Sequence, residues 1–458
     1  MTERLARILL AVFVVGLMLH NAAMAQLWEL GVRGSVLDVV AAWKEALLLV
    51  ALVVVLWKVR RLPAITAVDI LAGTYALIVV AYFLVPQDWL GGAATERGEL
   101  LALRHHLLPV AAYGLGRLAA VAWRDTRWLG GAIAVAATGM AVVGLVDLAV
   151  VSLQAWRDSG VPGWYREQLG LDYEGLSGLP ENWVYNTGEE DNPIRRLVST
   201  FLSPLASAYA LVVALIYVVS RSLHWWWAIV AALLYVALLY THTRSALAAL
   251  VVGLVLLGIL QRRLAPIALG VASVVVAAGF LAVYPSIGPS TSYTPEEIEF
   301  LRANAEREPG ETADPFSPTE SSASSHWQNL RDGVEAVLEQ PQGYGLGNAG
   351  VVAKRTGVDI KAGESTYTEL GVDTGLAGMA AFVAWSALLL LALVRRDAWV
   401  AAAFGTMLLV GVQTDVIGVH WVAVVVWAAA GIAVSRQPAP AGDAPQDDEE
   451  EKTAPVSS

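Results

Sequence analysis

Twelve apolar runs, each close to the length that a helix needs to cross a bilayer, constrain this chain more than any motif in it. A hydrocarbon core is crossed by about 20 apolar residues in helical form, because lipid offers the backbone no hydrogen-bond partner. The runs fall near 6–24, 37–57, 65–85, 101–122, 128–153, 201–220, 224–240, 245–260, 265–284, 370–394, 399–414 and 416–434. The first has the position of a signal peptide, but its apolar run is long and no clear cleavage site follows, so it reads as a helix. Composition agrees. Only 16% of residues are charged and 56% are hydrophobic, whereas a soluble domain carries roughly a quarter charged residues. Too little polar surface remains to coat a water-soluble globule, and the 17 tryptophans suit a chain that meets the membrane interface. The expected fold is all-α, a polytopic membrane protein with about 12 transmembrane helices over residues 1–435.

Basic residues set the expected orientation, since Lys and Arg concentrate on the cytoplasmic side. With the N-terminus inside, Lys58, Arg60 and Arg61 fall inside, as do Arg117, Arg124 and Arg127. Arg221, the pair Arg262 and Arg263, the pair Arg395 and Arg396, and Arg436 follow on the same side. Both termini are then cytoplasmic in the cell membrane, and two long polar loops, about 154–199 and 285–369, face out. Residues 436–458 carry Asp447, Asp448, Glu449, Glu450 and Glu451 among Pro and Ala, the composition of a disordered acidic tail. Because part of the net charge of -11 sits in that tail and the loops, it does not describe the membrane domain. No nucleic-acid partner is expected. The absence of cysteine excludes disulfides, thiolate metal sites and a cysteine nucleophile.

Function is therefore sought in the outer loops. The first contains Trp156, Trp164, Tyr165, Trp183 and Tyr185, a mixture that suits stacking on sugar rings and interfacial anchoring equally. The second opens at Pro285 and Pro289, passes a charged stretch from Pro295 to Glu308, and reaches a helical pattern in His326, Trp327, Leu330, Val334 and Leu338. Three arginines stand at span ends or on that helix. Arg196 closes the first loop, Arg244 sits in Thr241-His242-Thr243-Arg244-Ser245-Ala246 between two apolar runs, and Arg331 lies on the helix. A guanidinium near the membrane boundary is costly unless it is paired or holds an anion, and its planar fork matches phosphate oxygens. Each arginine alone has a candidate partner in Glu190, Asp191 or Asp332; three on one face point to a phosphate site. The stretch Gly343-Tyr344-Gly345-Leu346-Gly347-Asn348 lacks the strand and helix of a dinucleotide fold. It reads as a turn whose backbone is free to approach a ligand. Within the spans, Lys44 and Glu45 read as a pair, and Asp147 as facing the bundle.

The order of these features resembles the O-antigen ligase and O-antigen polymerase superfamily of glycosyltransferases, best over 195–395. Arg196-Leu197-Val198-Ser199-Thr200-Phe201 with Pro204 is similar to the family's arginine-led Gly-Thr-Phe-Asn-Pro segment. Thr243-Arg244-Ser245-Ala246 resembles its Ser-Arg-Ser/Gly-Ala turn, and Pro341-Gln342-Gly343-Tyr344-Gly345-Leu346-Gly347 its Pro-Leu-x-Gly-x-Gly stretch. Glu364-Ser365-Thr366-Tyr367 before Gly375-Leu376-Ala377-Gly378 has the spacing of its His-Asn-x-Tyr and Gly-Leu-x-Gly. Here Glu364 stands where ligases carry a histidine.

The resemblance implies an inverting transferase, working outside the membrane with neither metal nor cofactor. Its partners would be a polyprenyl-diphosphate-linked glycan as donor, a hydroxyl on a glycan or glycolipid as acceptor, and membrane lipid. Arg196 and Arg244, with Arg331, would bind the diphosphate. Glu364 would orient or deprotonate the acceptor, desolvation raising its proton affinity. Tyr367, His326 and Ser245 would line the site. The rival readings are a transporter or flippase of an anionic lipid or solute, marked by broken helices in two matching halves, and a non-catalytic glycan-binding membrane protein. The orientation is tested in the cysteine-free background. Single cysteines at Ser177 and Ser321 label from outside intact cells and one at Ser222 does not; labelling at Ser222 alone reverses the topology.

Overall fold

Apolar sequence that must satisfy its own backbone becomes helix, and the chain is helical almost throughout. The computed structural model describes residues 3–58, 62–121, 125–185, 193–221, 224–305 and 321–436. Glu190, Asp191, Ser222 and residues 437–458 of the acidic tail lie outside them. Among the described residues, six helices are long and apolar enough to cross a membrane: Glu3–Glu29, Ala67–Leu84, Thr126–Val150, Arg244–Gln261, Leu264–Ile287 and Thr366–Val394. Shorter apolar helices run Pro204–Ser220, Trp225–Tyr240, Ala398–Val410 and Val422–Val434. Trp43–Lys58 and Glu96–Ala119 are helical too, the latter carrying Arg104, His105 and His106. Six described helices thus meet the length and composition needed for a crossing, with shorter apolar helices beside them; the sequence reading expected about twelve spans. Chain between these helices folds at two ends, one rich in basic residues and one carrying both long loops.

The basic end is stapled by ion pairs. Thr66 and Asp69 cap the Ala67–Leu84 helix reciprocally. The same Asp69 takes a two-pronged contact from Arg117, at 2.9 Å from Nε and 2.8 Å from Nη2, and accepts the Tyr113 hydroxyl at 2.7 Å. Arg436 reaches Asp397 at 2.6 Å, and Thr126 donates to that carboxylate as well. Glu96–Ala119 and Trp427–Val434 approach until backbones touch. A Cβ at Gly116 would meet the Ala428 carbonyl oxygen at 2.2 Å, and one at Gly431 the Tyr113 oxygen at 2.3 Å. Small residues permit such close packing where lipid supplies no hydrophobic drive between helices.

At the other end, the long helix Thr366–Val394 is broken at Gly375, whose φ of 62 and ψ of −177 suit only glycine. The turn after the loop helix Ser321–Glu339 fills the break. Leu376 N–H donates to Pro341 O at 2.8 Å, and Tyr344 N–H to Val372 O at 2.7 Å. Asn348, fully buried, donates to Gln87 Oε1 and accepts from Ala93 N–H, both at 2.8 Å. The glycine-rich turn is therefore a plug for the helix break. Its backbone is engaged, and the expectation that it lies free for a ligand is corrected.

The first loop folds into a lobe with its own core. Trp164, Tyr165, Leu176, Leu179 and Trp183 bury one another together with Met24, Leu37 and Tyr293. Trp183 is 1% exposed and donates its indole N–H to Leu202 O at 3.1 Å; Trp156 donates to Asp147 at 2.8 Å. These aromatics build the core of the lobe, because a loop this long must bury apolar surface of its own to stay ordered. Removal of Trp183 leaves a cavity and takes one of two donors from the Leu202 carbonyl, which keeps the Tyr165 hydroxyl at 2.9 Å. Trp183→Ala therefore costs about 3–5 kcal/mol and Trp183→Phe about 1 kcal/mol, measured by unfolding of the purified protein in detergent.

Candidate functional site

Trp225–Tyr240 and Arg244–Gln261 are joined by three residues, so the chain must reverse sharply. His242 adopts φ 49, in the left-handed region, and Thr241, His242 and Thr243 are all buried. Arg196 approaches this turn from a two-residue strand, Ile194–Arg195, which pairs antiparallel with Val184–Tyr185. Its Nε donates to Thr241 O at 2.8 Å and its Nη2 to Thr243 Oγ1 at 3.1 Å. Neighbouring residues on extended chain point to opposite sides, and Arg195 accordingly turns the other way, into a 3.2 Å pair with Asp147. Asp147 does face the bundle, as read from the sequence, and serves as that counter-ion.

Arg196 and Arg244 both act on one ring. His242 stacks between Tyr185, at 4.2 Å between centroids, and Tyr284, at 4.8 Å. Burial, then the charges of Arg196 and Arg244, push its pKa down to about 3. Burial is the main cause, and the added effect of two guanidinium groups on one ring marks a locus of positive charge, which suits an anion. Ser245 lies at the base of the same turn beside Tyr209, which also neighbours Thr414 and feels the charges of Arg196 and Asp415.

Asp415 opens a second group that the sequence reading missed. His105 Nε2 lies 3.2 Å from Asp415 Oδ2, and His106 Nε2 lies 2.9 Å from Asp373 Oδ2, the two rings perpendicular at 5.0 Å. Glu369, one helical turn before Asp373, is buried beside them and accepts the backbone N–H of Glu364. Ligand atoms of His105, Glu369 and Asp415 all lie within 4.8 Å of one another, a set that fits a metal ion. Two carboxylates this close and this buried share a proton or a cation. The signal was in the sequence, since ionisable residues inside apolar runs are functional suspects by default.

Glu364 sits at the rim of that group with φ 69, a left-handed conformation uncommon for a residue with a side chain. His326, from the loop helix, hydrogen-bonds its carboxylate through Nδ1, and both side chains are about two-fifths exposed, 44% and 39%. The expected upward titration of Glu364 is corrected. Burial raises its pKa, but the hydrogen bond and charge of His326, with a hydrogen bond from Asn329, lower it further, and the net direction is down. Glu364 is thus the hydrogen-bond partner of an imidazole. Two further expectations change. Tyr367 donates its hydroxyl to Leu408 O at 2.8 Å and ties two helices together. On the loop helix, Gly333 and Val337 pack against Thr368 and Gly371, while Arg331 shares the opposite, exposed face with Trp327, Val334 and Leu338. Two arginines converge, and the third stands apart, because a single amphipathic helix presents only one face to the bundle.

These features define an integral membrane protein with a cationic turn beside a carboxylate–histidine group. Residues 227–383 match the family model described as O-Antigen ligase. Over this segment the chain is similar to the O-antigen ligase family. The matched segment holds Arg244, the His326–Glu364 pair and the Gly375 break; Arg196, His105 and Asp415 lie outside it. No curated protein matches the chain.

The sign of the Glu364 shift is testable. A depressed carboxylate contributes its pairing above the unfolded value and loses it only as pH falls through the lower, folded one. Infrared difference spectra against Glu364→Gln should therefore place its midpoint below the ordinary Glu value of about 4.3. In His326→Ala the midpoint should rise, because burial, the largest single effect, is then opposed only by the Asn329 hydrogen bond. An unchanged midpoint in His326→Ala means that the pair does not set the ionisation.

Proposed function

We propose that this protein transfers a glycan, with inversion, from a polyprenyl diphosphate to a hydroxyl on another lipid-linked or surface glycan, on the outer side of the cytoplasmic membrane. The convergence of Arg196 and Arg244 on His242 is the observation that carries this reading. Their forks bind the donor diphosphate and neutralise the charge that grows on it as the bond to the anomeric carbon breaks. The acceptor oxygen forms the new bond from the opposite face of the sugar, and its proton passes to His326. Glu364 then stabilises the imidazolium, as a carboxylate does behind a histidine base. The activated donor supplies the driving force, so the reaction draws on no nucleotide.

A second location for the base is supported by Tyr209, which links the arginine turn to Asp415 and through it to His105. The variants separate the two. With purified protein and extracted lipid-linked oligosaccharide, Arg244→Ala should abolish transfer and Arg244→Lys restore little, because a point charge does not reproduce the fork. Lysine as effective as arginine would falsify bidentate recognition. His326→Ala and Glu364→Gln should each lower turnover by about 100- to 10,000-fold while donor binding persists. If His105→Ala shows that loss instead and His326→Ala does not, the base is the buried pair. The same assay reads ligase from polymerase, as transfer to a different acceptor or as chain lengthening.

A further inference from the structure

A second cationic cluster adjoins His105 at the loop-bearing end, and the reading above makes no use of it. Lys44 stands where Gly34–Ala41 gives way to Trp43–Lys58 and is only 2% exposed. Its ammonium donates to Ala41 O at 2.9 Å, lies 3.3 Å from His20 Nε2 and 3.6 Å from Glu45 Oε1. Arg104, the residue before His105, brings its Nε to 3.3 Å from that same oxygen. Arg355, from the short helix Gly350–Thr356, donates to Leu169 O at 3.1 Å and lies within the field of Lys44, Arg104, Arg97 and Asp38. Arg97 pairs loosely with Asp38 at 3.9 Å. His420 completes the wall, close to Lys44, Arg104, His20 and His105.

The charges do not balance. Lys44, Arg97, Arg104 and Arg355 face the carboxylates Asp38 and Glu45, and the histidines add no negative charge. Glu45 serves both Lys44 and Arg104, yet neither of its oxygens, nor Arg104 Nε, is aligned for a hydrogen bond although all three atoms are buried. A surplus of cation in a poorly hydrated site is unstable without an anion. Exposure rises outward from Lys44 at 2% through Glu45 at 21% and Arg104 at 31% to Arg97 at 60%. The cluster is therefore a recess with a mouth. Its contents, one ammonium and arginine forks, match phosphate oxygens.

We propose that Lys44, Arg104 and Arg355 form a second anion site, which holds the phosphate-bearing headgroup of a second lipid-anchored molecule, the acceptor. This rests on the transferase reading, in which the donor diphosphate occupies Arg196 and Arg244. A line of neighbouring side chains runs between the two sites: Tyr209 feels the charges of Arg196 and Asp415, Asp415 pairs with His105, and His105 follows Arg104 in the chain. An acceptor held by its phosphate at one end of that line presents its hydroxyls toward a donor held at the other.

The test counts sites in the full chain, in nanodiscs of phosphatidylcholine, with undecaprenyl diphosphate as probe and native mass spectrometry as readout. Wild type should bind two probes, Arg244→Ala one, Arg104→Gln one and the double variant none. Arg355→Gln provides a second variant if Arg104→Gln fails to fold. In the transfer assay Arg104→Gln should raise the acceptor KM about tenfold or more and leave the donor KM unchanged. A single site in wild type, or two sites retained in both Arg104→Gln and Arg355→Gln, overturns the proposal. So does inorganic pyrophosphate filling this recess where the lipid probe does not, which would make it a solute site. If Arg104→Gln loses a site while Arg244→Ala keeps both, the recess stands and the donor assignment fails instead.

Discussion

A charge among apolar helices must find a counter-charge, and the arrangement of this molecule follows from how each end meets that requirement. At the basic end the solutions are internal. Arg117 is matched to Asp69 and Arg436 to Asp397, pairs made by residues from different helices that fix the bundle where function asks nothing of it. At the loop-bearing end Arg195 is matched to Asp147 and Arg157 to Glu297, Arg196 donates to the Thr241 carbonyl and the Thr243 hydroxyl, and Lys44 and Arg104 share Glu45. Two cations on one carboxylate leave room for an anionic ligand. The density of arginine at this end directs attention to it as the working face.

The broken helix lies at the same end. Gly375 interrupts Thr366–Val394 at the depth where Glu369 and Asp373 project beside His105 and His106, and the glycine turn supplies the hydrogen bonds that the break frees. Irregular backbone at this depth is tolerated only where protein covers it. The cover also serves the site. Gly343–Asn348 follows the loop helix directly, so the segment that plugs the break anchors the helix that carries His326 to Glu364. Transporters use broken helices as moving parts; here the break is packed by a turn whose Asn348 is locked by hydrogen bonds to several strands of loop.

The apolar runs made the helices legible, because hydropathy is a local property and lipid leaves the backbone no alternative. Arg244 and Ser245 were legible as a short polar turn between two such runs, and Arg196 as an arginine at a span mouth. What the sequence hid was partnership across distance. Nothing local pairs His326 with Glu364, 38 positions on, and read alone Glu364 looked like a desolvated base, where the structure gives it a histidine partner that lowers its pKa. The loop aromatics were misread because a lobe core and a sugar-stacking face share one composition. Arg331 was misplaced because helical phase, not sequence proximity, decides which side of Ser321–Glu339 meets the bundle. His105, His106, Asp373 and Asp415 were overlooked for a simpler reason: the apolar runs around them masked the most informative residues in the chain.

The central claim is that a lipid-linked diphosphate sits between Arg196 and Arg244. An electron cryomicroscopy map of the protein in nanodiscs with a non-transferable polyprenyl-diphosphate glycan tests it most directly. The account places the diphosphate density against both guanidinium groups, above His242, with the first sugar toward Glu364 and His326. Density for the headgroup on the exposed face of Arg331, or anywhere remote from the Thr241–Thr243 turn, would contradict it.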